Sequence, residues 1–262
     1  MSLDRAVFLF QLLLALSLIV QTVEFIALAK REDVRYVWSW SVQGGDLKGS
    51  HPLIQRGFDF LYRDKIHNLH LVLRLLCAIS LFWGVTLITG LFLFLSTVIL
   101  LIRWRGAFNG GSDFMTVIAV TGLVIAMGAS LFVDAEKAWN AALWYITIHS
   151  ITSYFMSGTV KLLNGQWRNG TALTYFLDGG LYGPLSEKSV LHRPFIAALA
   201  SWSFIIWEVS FPFVLVDPYV AVVFCTIALF FHLLVFRFFG LNRFIWAWIV
   251  TFPSIIYCSG QI

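Results

Sequence analysis

The sequence predicts an all-α, polytopic transmembrane helical bundle of about eight helices, and three observations predict it. Of its 262 residues, 59% are hydrophobic and only 12% are charged, against about 45–50% and about 25% in soluble domains. The mean hydropathy is +0.82, and a chain of this length has too little interior to hide so much apolar side chain, so lipid is the remaining solvent. The apolar residues also come in runs, and about 20 helical residues cross a hydrocarbon core of about 30 Å.

The first run, 6–29, ends in Ala27-Leu-Ala29, which resembles a signal-peptidase site. It is too long for a signal peptide and carries Glu24, so it reads as a retained helix. Residues 31–67 form a polar loop with an interfacial helix. The run 69–102 is too long for one crossing at 1.5 Å per residue, and a break from Thr86 to Gly90 divides it into helices 69–86 and 90–104. Further spans are expected at 114–133, 139–163, 194–216, 218–239 and 241–258. Segment 164–193 is too polar to span and reads as a loop with a short amphipathic helix at 168–177. The whole chain, 1–262, forms one membrane domain.

Eight crossings put both termini on one face, which holds Arg5 and Lys137. The other face gathers the remaining Lys and Arg, from Lys30 and Arg31 to Arg237 and Arg243, with Arg74 inside a span. The positive-inside rule puts that richer face in the cytoplasm, as expected of an integral protein of the plasma (inner) membrane. A net charge of +4 without a dense basic run argues against nucleic acid as a partner. Cys77, Cys225 and Cys258 each lie in an apolar run and read as small hydrophobes.

Ionisable groups inside spans are costly and mark sites by default. His67, His70 and Arg74, at i, i+3 and i+7, share one helix face, either as an interfacial cluster or around a ligand. Two imidazoles can hold a metal, but no matching further ligands are visible and none is predicted. The histidines also lack the repeated boxes of membrane di-iron hydroxylases. His149, Ser153, Ser157 and Lys161 form an i+4 row, with Tyr154 beside it and Gly158 allowing close helix contact. Lipid offers no hydrogen-bond partner, so such a stripe faces protein or water. Lys161 either snorkels to the interface or lies desolvated as a general base. Glu208, mid-span, pairs with Arg74, Lys161 or a histidine, or stays protonated; His232 is mid-span as well. Between two spans, Asn109, Gly110 and Gly111 make a tight turn, and Asp113 caps the next helix. Trp167 reads as an interfacial anchor.

The string Tyr154-Phe-Met-Ser-Gly158-Thr-Val-Lys161-Leu, followed by Trp167-Arg-Asn-Gly170, resembles the Tyr-x-x-Ala-Gly-x-x-Lys-Leu…Trp-x-x-Gly block of the HTTM family. That family includes the membrane part of vitamin K-dependent γ-glutamyl carboxylase. Arg105 to Asp113 is similar to the family's Arg-Asn…Asn-Gly-Gly-Asp loop, and His232 with the aromatic stretch Phe236 to Trp246 to its late histidine helix. The resemblance covers about residues 65–255. It implies a reduced, vitamin K-like quinone as cofactor and Lys161 as the base that deprotonates it. Oxygen then yields a strong base that removes a γ-proton from glutamate, and carbon dioxide is added. On that reading Glu208, His149 or His232 would relay protons, with His70, Arg74, Tyr154, Trp167, Asn109 and Asp113 around the cofactor.

The family's paired lysines read Val160-Lys161 here. The carboxylases also carry a large extra-membrane domain that binds the substrate propeptide. This chain is instead expected to act with a small separate protein partner or on a peptide substrate. In that it resembles the membrane maturation factor of a sporulation-delaying peptide toxin, a second relative of HTTM type. The alternative expectation is a non-enzymatic maturation or immunity component for a secreted antimicrobial peptide. A transporter is disfavoured, because no matched pair of broken helices is evident in two repeats.

Overall fold

The computed structural model describes residues 1–31, 36–47, 49–104, 110–181 and 183–261. Its described elements are all helical. Helix α1 (Leu3–Lys30) opens on the hydroxyl of Ser2, which accepts from the Arg5 N–H and satisfies one of the unpaired donors of a helix start. Asp4 in its first turn and Lys30 in its last oppose the helix dipole.

The polar segment that follows holds α2 (Trp40–Gln43) and α3 (Pro52–Leu61). Proline sits at the start of α3, where its missing N–H costs nothing, and His51 Nδ1 accepts from the Leu53 N–H. At 100° per residue, Leu53, Ile54, Phe58, Phe60 and Leu61 share one arc of α3, opposite Gln55, Arg56 and Asp59. Leu53, Ile54 and Phe60 are exposed, the pattern of a helix lying in the plane of a membrane interface.

The bundle continues with α4 (Asp64–Ser80), α5 (Leu87–Trp104), α6 (Gly110–Ala129) and α7 (Ala135–Leu163). Two short helices, α8 (Gly165–Arg168) and α9 (Thr171–Asp178), lead to α10 (Pro194–Val209). Then come α11 (Pro218–Phe239), α12 (Asn242–Ile249) and α13 (Phe252–Cys258).

Among the described residues, four helices are long and apolar enough to cross a membrane: Leu3–Lys30, Leu87–Trp104, Gly111–Ala129 and Pro218–Phe239. The other expected crossings take different forms. The run 194–216 divides into α10 and a 3-10 helix, Phe211–Leu215, because Pro212 cannot donate to the helix ladder and its ring crowds the preceding turn. The run 241–258 divides before Pro253 into α12 and α13 for the same reason. The expected break from Thr86 to Gly90 lies earlier, over Leu81–Thr86, where Gly84 adopts a φ of 149°. Gly90 instead sits inside α5, against Leu123 and Val124 of α6. The 29 residues of α7 reach about 43 Å, but Glu136, Lys137, Asn140, His149 and Lys161 dilute their apolar character.

One core joins Leu14 and Leu18 of α1 with Leu123 of α6 and Ile146 of α7; a second surrounds Tyr154 with Trp207, Phe211 and Trp248. Helices α7 and α10 meet backbone to backbone at Gly158. A Cβ on Gly158 would stand 2.6 Å from Val209 N and 2.7 Å from Glu208 Cβ, so only glycine lets these helices meet. Beyond it the chain continues antiparallel to α10 as far as Gly170, whose φ of 83° and 2.4 Å Cβ distance to the Ala197 carbonyl carbon exclude a side chain. We expect Gly158→Ala to destabilise the detergent-solubilised protein by about 1–3 kcal/mol, as overpacking does, read as a lowered thermal unfolding midpoint.

Candidate functional site

Close approach at Gly158 sets Ser157 and Lys161 of α7 against Glu208 of α10. Lys161 Nζ donates to both oxygens of Glu208, at 2.7 and 2.5 Å, and to Ser157 Oγ at 2.6 Å; Ser157 Oγ donates to Glu208 Oε1 at 3.1 Å. Glu208 is 2% exposed and the Lys161 side chain 15%. Of the partners open to Glu208 from sequence, the structure selects Lys161. The contact with α10 runs nine residues further, to Gly170, and Leu163, Phe176, Phe195 and Leu199 around this continuation are exposed apolar side chains. Lys161 therefore lies between two close contacts of this stretch with α10, at Gly158 and at Gly170.

The far side of Lys161 meets Trp167, whose ring centroid lies 5.4 Å from Nζ. Asn164 ends α7 and its Oδ1 accepts from the Gln166 N–H, turning the chain into α8. Ser201 Oγ then donates to the Trp167 carbonyl and fastens this turn to α10. Trp167 also forms part of the wall of an open cleft of about 430 Å³, with Asn164, Gln166, Thr171, Tyr175 and Phe176.

One turn before Ser157, Tyr154 OH lies 2.7 Å from His232 Nε2. His232 is 1% exposed, stacked on Trp248 and flanked by Phe231 and Phe244. Its Nδ1 has no hydrogen-bond partner among the described residues. Tyr154 in turn packs on Trp207, the neighbour of Glu208 in the chain.

The remaining expected residues gather elsewhere, across α1, α4, α5, α6 and α12. Arg74 is fully buried and donates to Thr22, Leu93 O, Ser96, Thr97 and Gln21, the last at 2.6 Å. His70 Nε2 lies 2.7 Å from the same Ser96 hydroxyl. Gln21 Nε2 donates onward to Asp113 Oδ1 at 3.1 Å, which also accepts from Arg243 Nη1 at 3.2 Å. Arg243 Nε bonds Glu24 at 3.0 Å, and Asn242 also donates to Glu24. Two guanidinium groups thus balance two carboxylates along one hydrogen-bonded chain, the arrangement that makes buried charge tolerable. Asp113 lies inside the first turn of α6, serving this chain in place of the capping role expected of it.

The single cofactor site expected from sequence is therefore two clusters. Lys161, Glu208, Tyr154, Trp167 and His232 come together; His70, Arg74 and Asp113 form the second. His149 joins neither: it is exposed, packs edge-on against Tyr145, and precedes Lys161 by twelve residues, about 18 Å along the helix. Arg105 and Asn109 lie outside the described residues. The sequence reading missed Gln21, Thr22, Ser96, Thr97, Asn242 and the pairing of Arg243. Their only signal was a scatter of polar side chains within or beside apolar runs. Among the described residues no group of His, Cys, Asp and Glu suits a metal ion. Comparison of the chain with known protein families, with curated proteins and with solved structures finds no match.

Proposed function

We propose that the chain is an HTTM-type integral membrane protein in which Lys161 and Glu208 form an acid–base pair serving a reduced, vitamin K-like quinone, as an enzyme or enzyme subunit acting on a peptide. In this reading α4, α7, α10 with its 3-10 extension, and the α12–α13 pair add four crossings to the four membrane-length helices, in the plasma membrane. One observation carries the proposal: the Lys161 ammonium group holds three hydrogen bonds to Glu208 and Ser157 and lies over the ring of Trp167, a wall residue of the neighbouring cleft.

The cleft residues fit a planar aromatic diol. Trp167, Tyr175 and Phe176 offer ring faces for stacking, and Asn164, Gln166 and Thr171 offer polar groups for two ring hydroxyls. A quinol held there supplies a hydroxyl proton and the electrons that oxygen takes. Lys161 must be an uncharged amine to accept that proton. In the proposed step Lys161 would hand one proton to the Glu208 carboxylate, 2.5 Å away, and take the quinol proton in its place, leaving a carboxyl group, an ammonium group and a quinolate. Ser157 keeps Nζ and the carboxyl group aligned during the transfer, the positioning that general base catalysis requires.

The reading predicts that the protein, purified in mild detergent, retains a quinone detectable by mass spectrometry of its lipid extract. Trp167→Ala should weaken binding of added quinone about threefold to tenfold through lost stacking. A wild-type protein that neither retains quinone nor binds it on addition contradicts the proposal.

A further inference from the structure

A second cavity, of about 270 Å³, lies where α1 ends, α4 begins and α5 ends, lined by Lys30, Tyr62, Asp64, His67, Arg103 and Trp104 among others. None of these residues serves the Lys161 cluster. His67 is 5% exposed, and neither of its ring nitrogens has a hydrogen-bond partner among the described residues. Arg103 is 8% exposed, and its Nε and Nη1 likewise lack partners among the described residues. Its guanidinium is held in place by ring faces, 4.7 Å from the Trp104 centroid and 5.9 Å from that of Tyr62. The Tyr62 hydroxyl is occupied in donating to the Ile99 carbonyl at 2.7 Å. A buried guanidinium with idle donors is expensive unless something fills the cavity and accepts from it.

The occupant is defined by charge and depth. Among the described lining residues, Lys30 and Arg103 contribute two positive charges and Asp64 one negative charge, leaving one to be balanced. A phosphodiester carries one negative charge and matches the planar donor fork of arginine. Lys30 and Trp104 are the last residues of two membrane-length helices, which sets the cavity at headgroup depth. From it, the exposed apolar face of α4, with Leu69, Val72, Leu73 and Leu76, runs toward the bilayer interior as a track for acyl chains. We propose that this cavity binds the phosphodiester of a phospholipid headgroup, with Arg103 and His67 as its buried donors and Lys30 at the rim.

The test uses the full chain, delipidated in detergent, and titrates three probes: short-chain phosphatidylglycerol, the matching diacylglycerol and inorganic phosphate. Native mass spectrometry counts bound lipid, and thermal unfolding reports stabilisation. Wild type should bind one phosphatidylglycerol and be stabilised by it, but not by diacylglycerol, and far less by inorganic phosphate. Arg103→Leu should bind that lipid at least about tenfold more weakly, the loss of charge-assisted bonds. Because Arg103 Nε and Nη1 have no hydrogen-bond partner among the described residues and leucine keeps apolar contact with the Trp104 and Tyr62 rings, the delipidated variant should be no less stable than delipidated wild type. Equal stabilisation by inorganic phosphate alone overturns the lipid as occupant. Lipid binding unchanged in Arg103→Leu, or a variant destabilised even without lipid, overturns the site.

Discussion

Replacing Lys161 with alanine destabilises the protein by about 3 kcal/mol, the lower end of the cost of removing one partner from a buried ion pair. The alanine leaves Glu208, 2% exposed, with Ser157 as its one hydrogen-bond donor among the described residues. The low end applies because the lysine keeps 15% of its side chain accessible, and water recovers part of the loss. A neutral pair of similar volume, Lys161→Met with Glu208→Gln, should return stability to within about 1 kcal/mol of wild type, since well-packed neutral groups replace buried pairs without penalty. Equilibrium unfolding in detergent micelles measures both. A freely snorkelling lysine would make Lys161→Ala nearly neutral and the rescue invisible.

The second large effect belongs to Arg74. Arg74→Met should cost about 3–5 kcal/mol, because it strips the donor from Gln21, Thr22, Ser96 and Thr97 at once. It also leaves Asp113 and Glu24 facing Arg243 alone, two negative charges against one positive. Adding Asp113→Asn restores the charge balance, so the double variant should recover about 1 kcal/mol or more relative to the additive expectation. Strict additivity in that cycle would mean that Gln21 does not couple the two groups, whatever its geometry.

Much of the architecture was legible because lipid imposes a simple rule on composition. The runs at 6–29, 90–104, 114–133 and 218–239 overlap the four membrane-length helices, three of which begin three residues earlier, and the amphipathic arc of α3 follows from residue spacing alone. The interruptions at Pro212 and Pro253 were in plain view, yet hydropathy ignores the missing N–H that ends a helix there. At the candidate site, the i+4 row and Gly158 pointed to the helix face that meets α10. The pairing of Lys161 with Glu208 was not readable, because the two lie 47 residues apart and Arg74 and the histidines were equally eligible partners for Glu208 by type. The Arg74 network was less readable still. Its Gln21–Asp113 and Asp113–Arg243 links span 92 and 130 residues, and no local periodicity encodes contacts of that range. His149 shows the opposite failure: its spacing placed it on the Lys161 row, but a long helix leaves its neighbours before the row ends.

The most direct test compares oxygen-dependent quinol oxidation by wild type and by Lys161→Met/Glu208→Gln. The two proteins are reconstituted at equal density in vesicles loaded with reduced vitamin K, and quinol loss is followed by absorbance. If the Lys161–Glu208 pair moves the proton, wild-type vesicles outpace protein-free vesicles, and the folded, neutral-pair variant falls to the protein-free rate. A variant as fast as wild type, or a wild type no faster than empty vesicles, contradicts an acid–base role for the pair.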